Sequence, residues 1–239
     1  MDIIKIPSTI SKIDKIFHIS DIHIRTLKRH REYREVFKNM YKYITDNATP
    51  NSIIVCTGDI VHSKLDMSPE LIQLLVEFFD GFTIPTIVIL GNHDMNLNNM
   101  HRTDAISPII NVIKNPNIIF IKENGLFEYG GIVWNHMAVD TSPNEYIKAS
   151  DFDGAYKIAL HHGAVNTAKT DIGYQISNEH VTTELFAGHD ITLLGDIHKP
   201  NQILQSYSYE EIEVDESEVE EYLKAGWEVE IQDFKFETL

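Results

Sequence analysis

Near its start the chain reads Lys15-Ile16-Phe17-His18-Ile19-Ser20-Asp21-Ile22-His23. The apolar run up to Ser20 predicts a β-strand, and an Asp-x-His pair follows it directly. Side chains alternate along an extended chain, so Asp21 and His23 point to the same side and can converge on one point. His18 lies within the strand and is interpreted as a core or edge histidine. The stretch therefore predicts a strand that delivers two polar ligands at its carboxyl end.

Four further segments repeat this arrangement. Each follows a strand-like run and carries carboxylate, amide or imidazole side chains: Gly58-Asp59-Ile60-Val61-His62, Gly91-Asn92-His93-Asp94, Leu160-His161-His162-Gly163 and Gly195-Asp196-Ile197-His198. Oxygen and imidazole ligands without thiolates suit manganese, iron or zinc in a catalytic site. The donors outnumber the three to five or so that one catalytic ion takes, so we expect two ions. Asp59 stands alone between the paired motifs and is the natural bridging ligand.

In this order the five motifs resemble those of the calcineurin-like metallophosphoesterases, which run Asp-x-His, Gly-Asp, Gly-Asn-His-Asp/Glu, His and Gly-His-x-His. The resemblance covers about residues 15 to 200. It implies an α/β sandwich of two mixed β-sheets flanked by helices. Within the superfamily the chain is most similar to the SbcD-type nuclease subunit of double-strand-break repair complexes. That finer resemblance rests on His62, three residues after Asp59, and on Gly195-Asp196-Ile197-His198-Lys199-Pro200.

The resemblance implies a role for each motif residue. One ion would be held by Asp21, His23, Asp59 and His198, and the other by Asp59, Asn92, His161 and Asp196. His161 is preferred to His162 because the family pattern places the ligand first and the next side chain faces the opposite way. His93 would stabilise or protonate the leaving oxygen, oriented by Asp94, and His62 would be a further catalytic or substrate contact. Water activated by the cations would attack phosphorus in line.

Position 196 departs from the family pattern, because Asp196 stands where a first histidine is usual. Aspartate is a good ligand for hard cations and adds a negative charge. We therefore expect two divalent ions, with Mn²⁺ first and Mg²⁺, Fe²⁺ or Zn²⁺ as alternatives. Weakening or loss of the second ion is the other reading of Asp196. A plain loop histidine is the other reading of His62.

Hydrophobic periodicity places strands and helices around the motifs. Strands are predicted at 52–57, 86–90, 156–160 and 191–194, and helices at 32–47 and from Ser68-Pro69 onward. Residues 118–139 are predicted to form strands broken at Gly130-Gly131, a hairpin signal. The alternation predicts helices outside packed sheets, with the metal site along the carboxyl ends of the strands.

Composition agrees with an intracellular enzyme. The chain has 239 residues, 43% of them hydrophobic, and its single cysteine, Cys56, cannot form an intrachain disulfide. No signal peptide or membrane-spanning run is visible, so we expect a cytoplasmic protein without a membrane partner. The domain prediction is a metallophosphoesterase domain at 1–200 and an acidic extension at 201–239. We expect the extension to be partly folded, with Leu223 and Trp227 against the body.

The net charge of −16 is the main argument against a nucleic-acid substrate. The distribution of charge weakens this argument. Residues 201–239 contain 12 acidic and 2 basic residues, so residues 1–200 contain 24 acidic and 18 basic residues. A basic cluster follows the first motif: Arg25, Lys28, Arg29, His30, Arg31 and Arg34. Within it, Arg25, Lys28, Arg29 and Arg31 are candidate contacts to DNA phosphate. The alternative is a solvated helix start.

Three functions are consistent with these residues. The first is a two-metal DNA exonuclease or endonuclease of repair or recombination. Its partners would be DNA and an SbcC-like coiled-coil ATPase, and homodimerisation is left open. The second is a phosphoesterase of the same superfamily that acts on a small nucleotide or a phosphoprotein. The third is a non-catalytic scaffold with a damaged site, which only Asp196 favours.

Overall fold

The computed structural model describes residues 2–99, 101–170 and 173–197. This part of the chain forms two β-sheets with helices. The strands are β1 (Ile3–Lys5), β2 (Lys15–Ile19), β3 (Ser52–Cys56), β4 (Thr86–Val88), β5 (Ile118–Phe120), β6 (Gly125–Tyr129), β7 (Ile132–Met137), β8 (Lys157–His162) and β9 (Ile191–Gly195). The α-helices are α1 (His30–Asn47), α2 (Pro69–Asp80) and α3 (Ser107–Ile113). Single 3₁₀ turns lie at Pro143–Glu145, Ala149–Asp151 and Thr183–Phe186.

One sheet has four strands in the order β2-β3-β4-β5, and every neighbouring pair is parallel. The other has five strands in the order β1-β6-β7-β8-β9, in which β6 and β7 are antiparallel and the remaining pairs are parallel. The predicted α/β sandwich is therefore confirmed, but only the five-stranded sheet is mixed. The four-stranded sheet is all parallel because a helix lies between each of its successive strands, as parallel crossovers require.

Strand β3 is buried on both faces. Ile54 and Cys56 pack among the helices, whereas Ile53 and Val55 pack against the five-stranded sheet. This period of two assigns each side chain of β3 to one of two cores. The continuous apolar run that predicted the strand follows from this double burial.

Helix α2 begins where the sequence predicts. The Ser68 hydroxyl accepts the backbone N–H of Leu71 at 3.2 Å, and Pro69 occupies the first turn. The helix buries an apolar stripe against the four-stranded sheet: Leu71, Leu74, Leu75, Phe78 and Phe79. The Ser68 cap and the buried apolar stripe therefore both confirm the helix predicted from Ser68-Pro69 onward.

The hairpin predicted around Gly130-Gly131 joins β6 to β7. Both glycines have positive φ, 61° and 79°, the backbone that a tight turn of this kind needs. Trp134 then packs between the sheets, and its indole N–H donates to the Tyr129 carbonyl at 3.1 Å. Burial of this indole ties the hairpin to the central core.

Two elements were not predicted, β1 and α3. Strand β1 is a three-residue edge strand and is mostly exposed, so it has little periodicity. Helix α3 is seven residues long and is stabilised at its start by Asp104. His198, Leu223, Trp227 and the whole extension 201–239 lie outside the described residues. Within the described ranges, no helix is both long and apolar enough to cross a bilayer.

Candidate metal centre

The carboxyl ends of β2, β3, β8 and β9 meet at one edge of the sandwich, where hydrogen bonds join the two sheets. The backbone N–H of Asp196 donates to Asp21 Oδ1 at 3.1 Å. His162 Nδ1 donates to the Thr57 carbonyl at 2.6 Å. Motifs that are up to 175 residues apart in the chain therefore lie side by side.

Four of the acidic or histidine residues at this edge have left-handed backbone conformations. The φ angles are 56° at Asp21, 49° at His23, 53° at Asp59 and 67° at Asp196. Non-glycine residues rarely adopt this region, and each instance costs on the order of 1–3 kcal/mol. Strained backbone conformations concentrate at functional sites. Their concentration here indicates that the positions of these side chains are maintained at a cost in backbone conformational energy.

Two motif glycines allow the β3 and β4 loops to touch. A Cβ at Gly91 would overlap Asp59, and a Cβ at Gly58 would overlap the backbone of Gly91. Gly58 also has φ 89°, which disfavours other residues. The Gly-Asp and Gly-Asn motifs therefore need glycine so that Asp59 and Asn92 can be presented from adjacent loops.

Asp59 lies at the centre of the site, fully buried, and its two oxygens face different histidines. Oδ1 accepts the backbone N–H of His93 at 2.8 Å and lies 3.3 Å from His162 Nε2. Oδ2 lies 3.6 Å from His23 Nε2. A carboxylate that faces two sets of donors in this way has the arrangement of a bridging ligand.

An oxygen-rich cluster surrounds Asp59. Its members are Asp21, Asp59, His162 and Asp196, and one ligand atom of each lies within 4.8 Å of the others. Asp196, which departs from the family pattern, thus lies among the other candidate ligands. Asn92 is next to this cluster, because its Oδ1 lies 3.2 Å from His162 Nε2.

The structure corrects the choice of His161. His161 donates from Nδ1 to the Met137 carbonyl at 2.9 Å, and its ring packs between Tyr146 and Phe186 on the outer face of the five-stranded sheet. It is His162 that faces Asp59. Among the described residues, no metal-binding group includes His161.

The alternation of side chains along β8 explains why His162, and not His161, faces Asp59. This alternation is visible in the sequence. Ile158 and Leu160 pack in the core between the sheets, and Ala159 packs on the outer face. His162 has the same phase as Ile158 and Leu160, so its side chain points toward the four-stranded sheet. The prediction followed the family spacing and missed the alternation of the large apolar residues.

Electrostatics differ sharply between these neighbouring histidines. Burial lowers the pKa of His161 to about 4. Burial also lowers the pKa of His162, but the hydrogen bond and charge of Asp59 outweigh it and raise that pKa to about 9. The carboxylates therefore favour positive charge at His162 Nε2, the side of the ring that faces the cluster.

A second cluster consists of His23, His62 and His93, with ligand atoms within 4.8 Å of one another. The ring centroid of His93 lies 4.8 Å from that of His23 and 5.8 Å from that of His62. His93 Nδ1 donates to the His62 carbonyl at 2.7 Å. His62 and His93 therefore lie beside His23, one of the candidate ligands.

Asp94 was predicted to orient His93, but it accepts hydrogen bonds from two backbone groups instead. Its Oδ1 accepts the N–H of Val61 at 3.0 Å, and its Oδ2 accepts the N–H of Gly91 at 2.9 Å. The His62 carbonyl, and not Asp94, holds the His93 ring. Burial raises the pKa of Asp94 to about 7, against the effect of the two backbone N–H groups. Asp94 therefore braces the loops that carry Asp59 and Asn92.

Lys64 was missed by the sequence reasoning. Its Nζ donates to the Asn92 carbonyl at 2.8 Å, which places an ammonium group beside the cluster. The residue is half-buried and lies two positions after His62. A lysine in a loop carries no strong sequence signal, so only its contact identifies it.

The basic cluster after β2 divides into two parts. Three arginines form ion pairs with glutamates: Arg29 with Glu32, Arg31 with Glu35 and Arg34 with Glu77. For Arg29 and Arg31 the structure favours the solvated helix start. Arg25 and Lys28 are exposed and take part in no ion pair within the described residues, so they are the cations still available to a phosphate.

The donor set fits divalent cations. It contains carboxylate, amide and imidazole groups without thiolate, as hard or borderline ions prefer. Asp59 Oδ2 is buried and has no hydrogen-bond partner among the described residues. His162 donates its second ring nitrogen to a backbone carbonyl, the usual support of a metal-bound histidine.

Comparisons with known proteins identify what this chain is similar to. The sequence profile of the calcineurin-like phosphoesterases matches residues 14–200. A protein of Acanthamoeba polyphaga mimivirus, "Uncharacterized protein R555", is 44% identical over 201 residues, which are 79% of this chain. The chain spans about 15% of that relative's length. The crystal structure of the Pseudomonas putida nuclease MPE aligns with a TM-score of 0.37 and 11% identity, over 68% of this chain and 67% of that one, a likeness too low to carry an argument.

Proposed function

Because the chain belongs to the calcineurin-like phosphoesterase family, we propose that it is a two-metal phosphodiesterase that cleaves DNA, of the SbcD type. One observation carries the proposal. The pair His62 and His93 lies directly beside the Asp59 cluster, with ring centroids 5.8 Å apart. His62 is exposed, so this pair can contact a substrate that enters from solvent.

Asp59 would be shared by both ions. Asp21 and His23 would complete one side and Asn92, His162 and Asp196 the other, with His198 as a further ligand predicted from sequence. Two bound divalent ions would lower the pKa of a water molecule and neutralise charge on the phosphate. We propose Mn²⁺ first, because the set is rich in carboxylate oxygen.

The residues around the cluster would have separate roles in catalysis, substrate binding and loop positioning. His93 is held through Nδ1, so Nε2 is the nitrogen that can donate a proton to the leaving oxygen. His62 would hold a phosphate oxygen from the solvent side. Asp94 keeps the loops in place through two backbone hydrogen bonds and does not need to contact the substrate.

A cationic rim supports a polyanionic substrate. Arg25 and Lys28 lie in the loop that follows His23, and Lys64 lies beside Asn92. Cations along a phosphate backbone supply sequence-independent affinity, which a nuclease without base contacts needs. These three residues would therefore contact DNA phosphates on either side of the cleaved bond.

A phosphoesterase that acts on a small nucleotide or a phosphoprotein is the second candidate. The observation that favours it is charge: the chain has a net charge of −16, and Arg29, Arg31 and Arg34 pair with glutamates. A small substrate needs fewer cations than DNA. The scaffold reading is disfavoured by the placement of Asp196 among the other candidate ligands.

Parallel incubations with Mn²⁺ would test the proposal. The substrates are linear double-stranded DNA, bis(p-nitrophenyl) phosphate and p-nitrophenyl phosphate, and Asp59→Asn is the control variant. We expect hydrolysis of DNA and of the diester by the parent chain and none by the variant. Hydrolysis of the monoester alone would favour the second candidate, and no hydrolysis of any substrate would favour the scaffold.

The sequence resemblance also supports an SbcC-like coiled-coil ATPase as a partner, which we propose. We also propose the division into a catalytic domain at 1–200 and an acidic extension at 201–239.

A further inference from the structure

Helix α1 has a strained start. Arg29, the residue before the helix, has a left-handed backbone with φ 63°, and its side chain forms no capping hydrogen bond. The left-handed region is unfavourable for a residue with a side chain, and an uncapped start leaves first-turn N–H groups without a side-chain acceptor. Strained backbone persists only where surrounding contacts fix it. Contacts made by the helix with its surroundings therefore set the position at which α1 begins.

Two side chains in the first turns of α1 reach back to the loop that follows β2. Tyr33 donates its hydroxyl to the His23 carbonyl at 2.8 Å. His30 donates from Nε2 to the Arg25 carbonyl at 2.6 Å. The two residues are three positions apart, so they share one face of the helix. This face is therefore bonded to two backbone carbonyls of the loop, one of which belongs to a candidate metal ligand.

His23 needs such support because its own backbone is strained. Its φ is 49°, in the left-handed region, where a histidine persists only if its surroundings fix it. The His23 N–H donates to the Asp59 carbonyl at 2.9 Å. The His23 carbonyl accepts the Tyr33 hydroxyl. The loop that carries Asp59 and the helix that carries Tyr33 therefore each hold one backbone polar group of His23.

The side chain of Tyr33 is suited to this hydrogen bond. It is half-buried, and its ring packs against Phe37 with 6.0 Å between the ring centroids. Burial raises the pKa of the Tyr33 phenol, so the hydroxyl is protonated and can donate at neutral pH. The ring belongs to the apolar packing around α1, whereas the hydroxyl contacts the ligand loop. Removal of the hydroxyl alone would therefore spare the packing and break the hydrogen bond.

We propose that Tyr33 is a positioning residue of the metal centre, whose hydrogen bond to the His23 carbonyl fixes the backbone conformation that directs the His23 imidazole toward Asp59. The inference rests on the proposed function, in which His23 and Asp59 bind one of the ions. Tyr33 acts through His23 and does not itself contact the ion or the substrate. Outer partners of metal ligands typically contribute 10- to 100-fold in metal affinity or activity.

The test uses the full chain and a matched pair of tyrosine variants. Tyr33→Phe removes only the hydroxyl. Tyr41→Phe is the control, because Tyr41 lies on the same helix, is also half-buried and also donates its hydroxyl to a backbone carbonyl, that of Phe78. A third variant, His23→Ala, identifies the Mn²⁺-binding step that depends on the ligand itself.

Three quantities are measured on each protein. Isothermal titration gives the Mn²⁺ affinity, and urea denaturation without metal gives the free energy of unfolding. Hydrolysis of bis(p-nitrophenyl) phosphate at a subsaturating Mn²⁺ concentration gives kcat and KM. Since the first two measurements do not use turnover, they report on the protein whether or not it cleaves this diester.

We expect Tyr33→Phe to weaken, by about tenfold or more, the same Mn²⁺-binding step that His23→Ala weakens. Its kcat should fall with the affinity, while KM stays near the parent value because Tyr33 does not bind the substrate. Tyr41→Phe should lower the free energy of unfolding as Tyr33→Phe does, and should retain the parent Mn²⁺ affinity and kcat. A role in folding alone cannot produce this difference, because both variants lose one hydrogen bond of the same kind.

Parent-like Mn²⁺ affinity in Tyr33→Phe overturns the proposal, as does an equal loss of affinity in Tyr41→Phe. Failure of the proposed function gives a different result. Parent-like Mn²⁺ binding in His23→Ala would remove His23 from the metal centre, and the role of Tyr33 with it. Absence of diester hydrolysis by the parent chain would contradict the proposed function, while the Mn²⁺ titrations would still decide the role of Tyr33.

Discussion

Nε2 of His162 lies 3.3 Å from Oδ1 of Asp59, and the two residues belong to different sheets. His162 ends β8 of the five-stranded sheet, whereas Asp59 follows β3 of the four-stranded sheet. Their contact exists only when the sandwich is assembled. Cations bound to Asp59 and His162 would therefore hold the two sheets together at this edge, so metal binding and folding should be linked.

The first prediction separates the neighbouring histidines. His162→Gln should weaken Mn²⁺ binding by about 10- to 100-fold, a cost known for metal-supporting groups, whereas the matched variant His161→Gln should retain the parent affinity. The reason is that only His162 faces Asp59. Isothermal titration with Mn²⁺ measures both variants. If His161→Gln alone loses the ion, then His161 is the ligand, as the family spacing predicted.

The second prediction concerns His93. His93→Ala should retain Mn²⁺ and lose about 10²- to 10⁴-fold in turnover, because the residue acts on the leaving group. Turnover is measured on the diester substrate and metal content by mass spectrometry of the dialysed protein. Stoichiometric loss of manganese would instead make His93 a ligand of the catalytic ions.

The third prediction concerns the brace at Asp94. In Asp94→Asn one buried backbone N–H, of Val61 or Gly91, would face an amide NH₂ in place of an acceptor. An unsatisfied buried donor costs about 1–3 kcal/mol, so the free energy of unfolding should fall by that amount. Urea denaturation measures it. Unchanged stability would mean that the loops hold their conformation without this carboxylate.

The fourth prediction is a pH dependence far from the metal centre. Asp104 accepts hydrogen bonds at the start of α3, and its Oδ2 lies 2.7 Å from Lys122 Nζ. Burial raises the pKa of Asp104, but the bonds from Lys122 and Ser107 outweigh it, and the net pKa is below the ordinary 3.8. A lowered folded pKa stabilises the fold at pH values above 3.8.

This contribution is lost as the pH falls from 3.8 through the folded pKa. Asp104→Asn should therefore lower stability at neutral pH by about 1–3 kcal/mol and by much less near pH 2. Thermal unfolding across a pH series of both proteins would detect this difference. A constant gap between the two curves would contradict the assigned role of Asp104.

The fifth prediction concerns the acidic extension, which lies outside the described residues. Residues 201–239 carry 12 acidic and 2 basic residues, a net charge of −10, after a site proposed for a polyanion. Deletion of the residues after Gln205 should raise DNA affinity at low salt. The effect should fade above physiological salt, where the Debye length falls below about 8 Å. Anisotropy titrations of both chains over a salt series test this, and equal affinities at low salt would exclude any screening.

Much of the site could be predicted because its signal is local. Asp21 and His23 stand two positions apart in one short segment, although left-handed backbone at both residues, and not strand alternation, sets the directions of their side chains. Gly58 and Gly91 directly precede the residues they help to present. The glycine pair between two strand-like runs likewise predicted the hairpin at Gly130-Gly131. Each of these inferences needs only a few neighbouring residues.

Other features of the site depend on contacts between residues that are far apart in the sequence. The contact of Lys64 with Asn92 spans 28 positions, and the pairing of Arg34 with Glu77 spans 43. No local sequence pattern indicates that these residues are partners. Arg29 and Arg31 illustrate the same limit, because a count of basic residues cannot tell a paired arginine from an available one.

The sequence by itself determined that candidate metal ligands would follow the strands, and its resemblance to a family predicted the α/β sandwich. Only the tertiary structure decided that His162 rather than His161 faces Asp59, and that Asp94 braces two loops while a carbonyl orients His93. The physical reason is that periodicity assigns side chains to one face or the other, whereas the opposing sheet decides which face becomes the site.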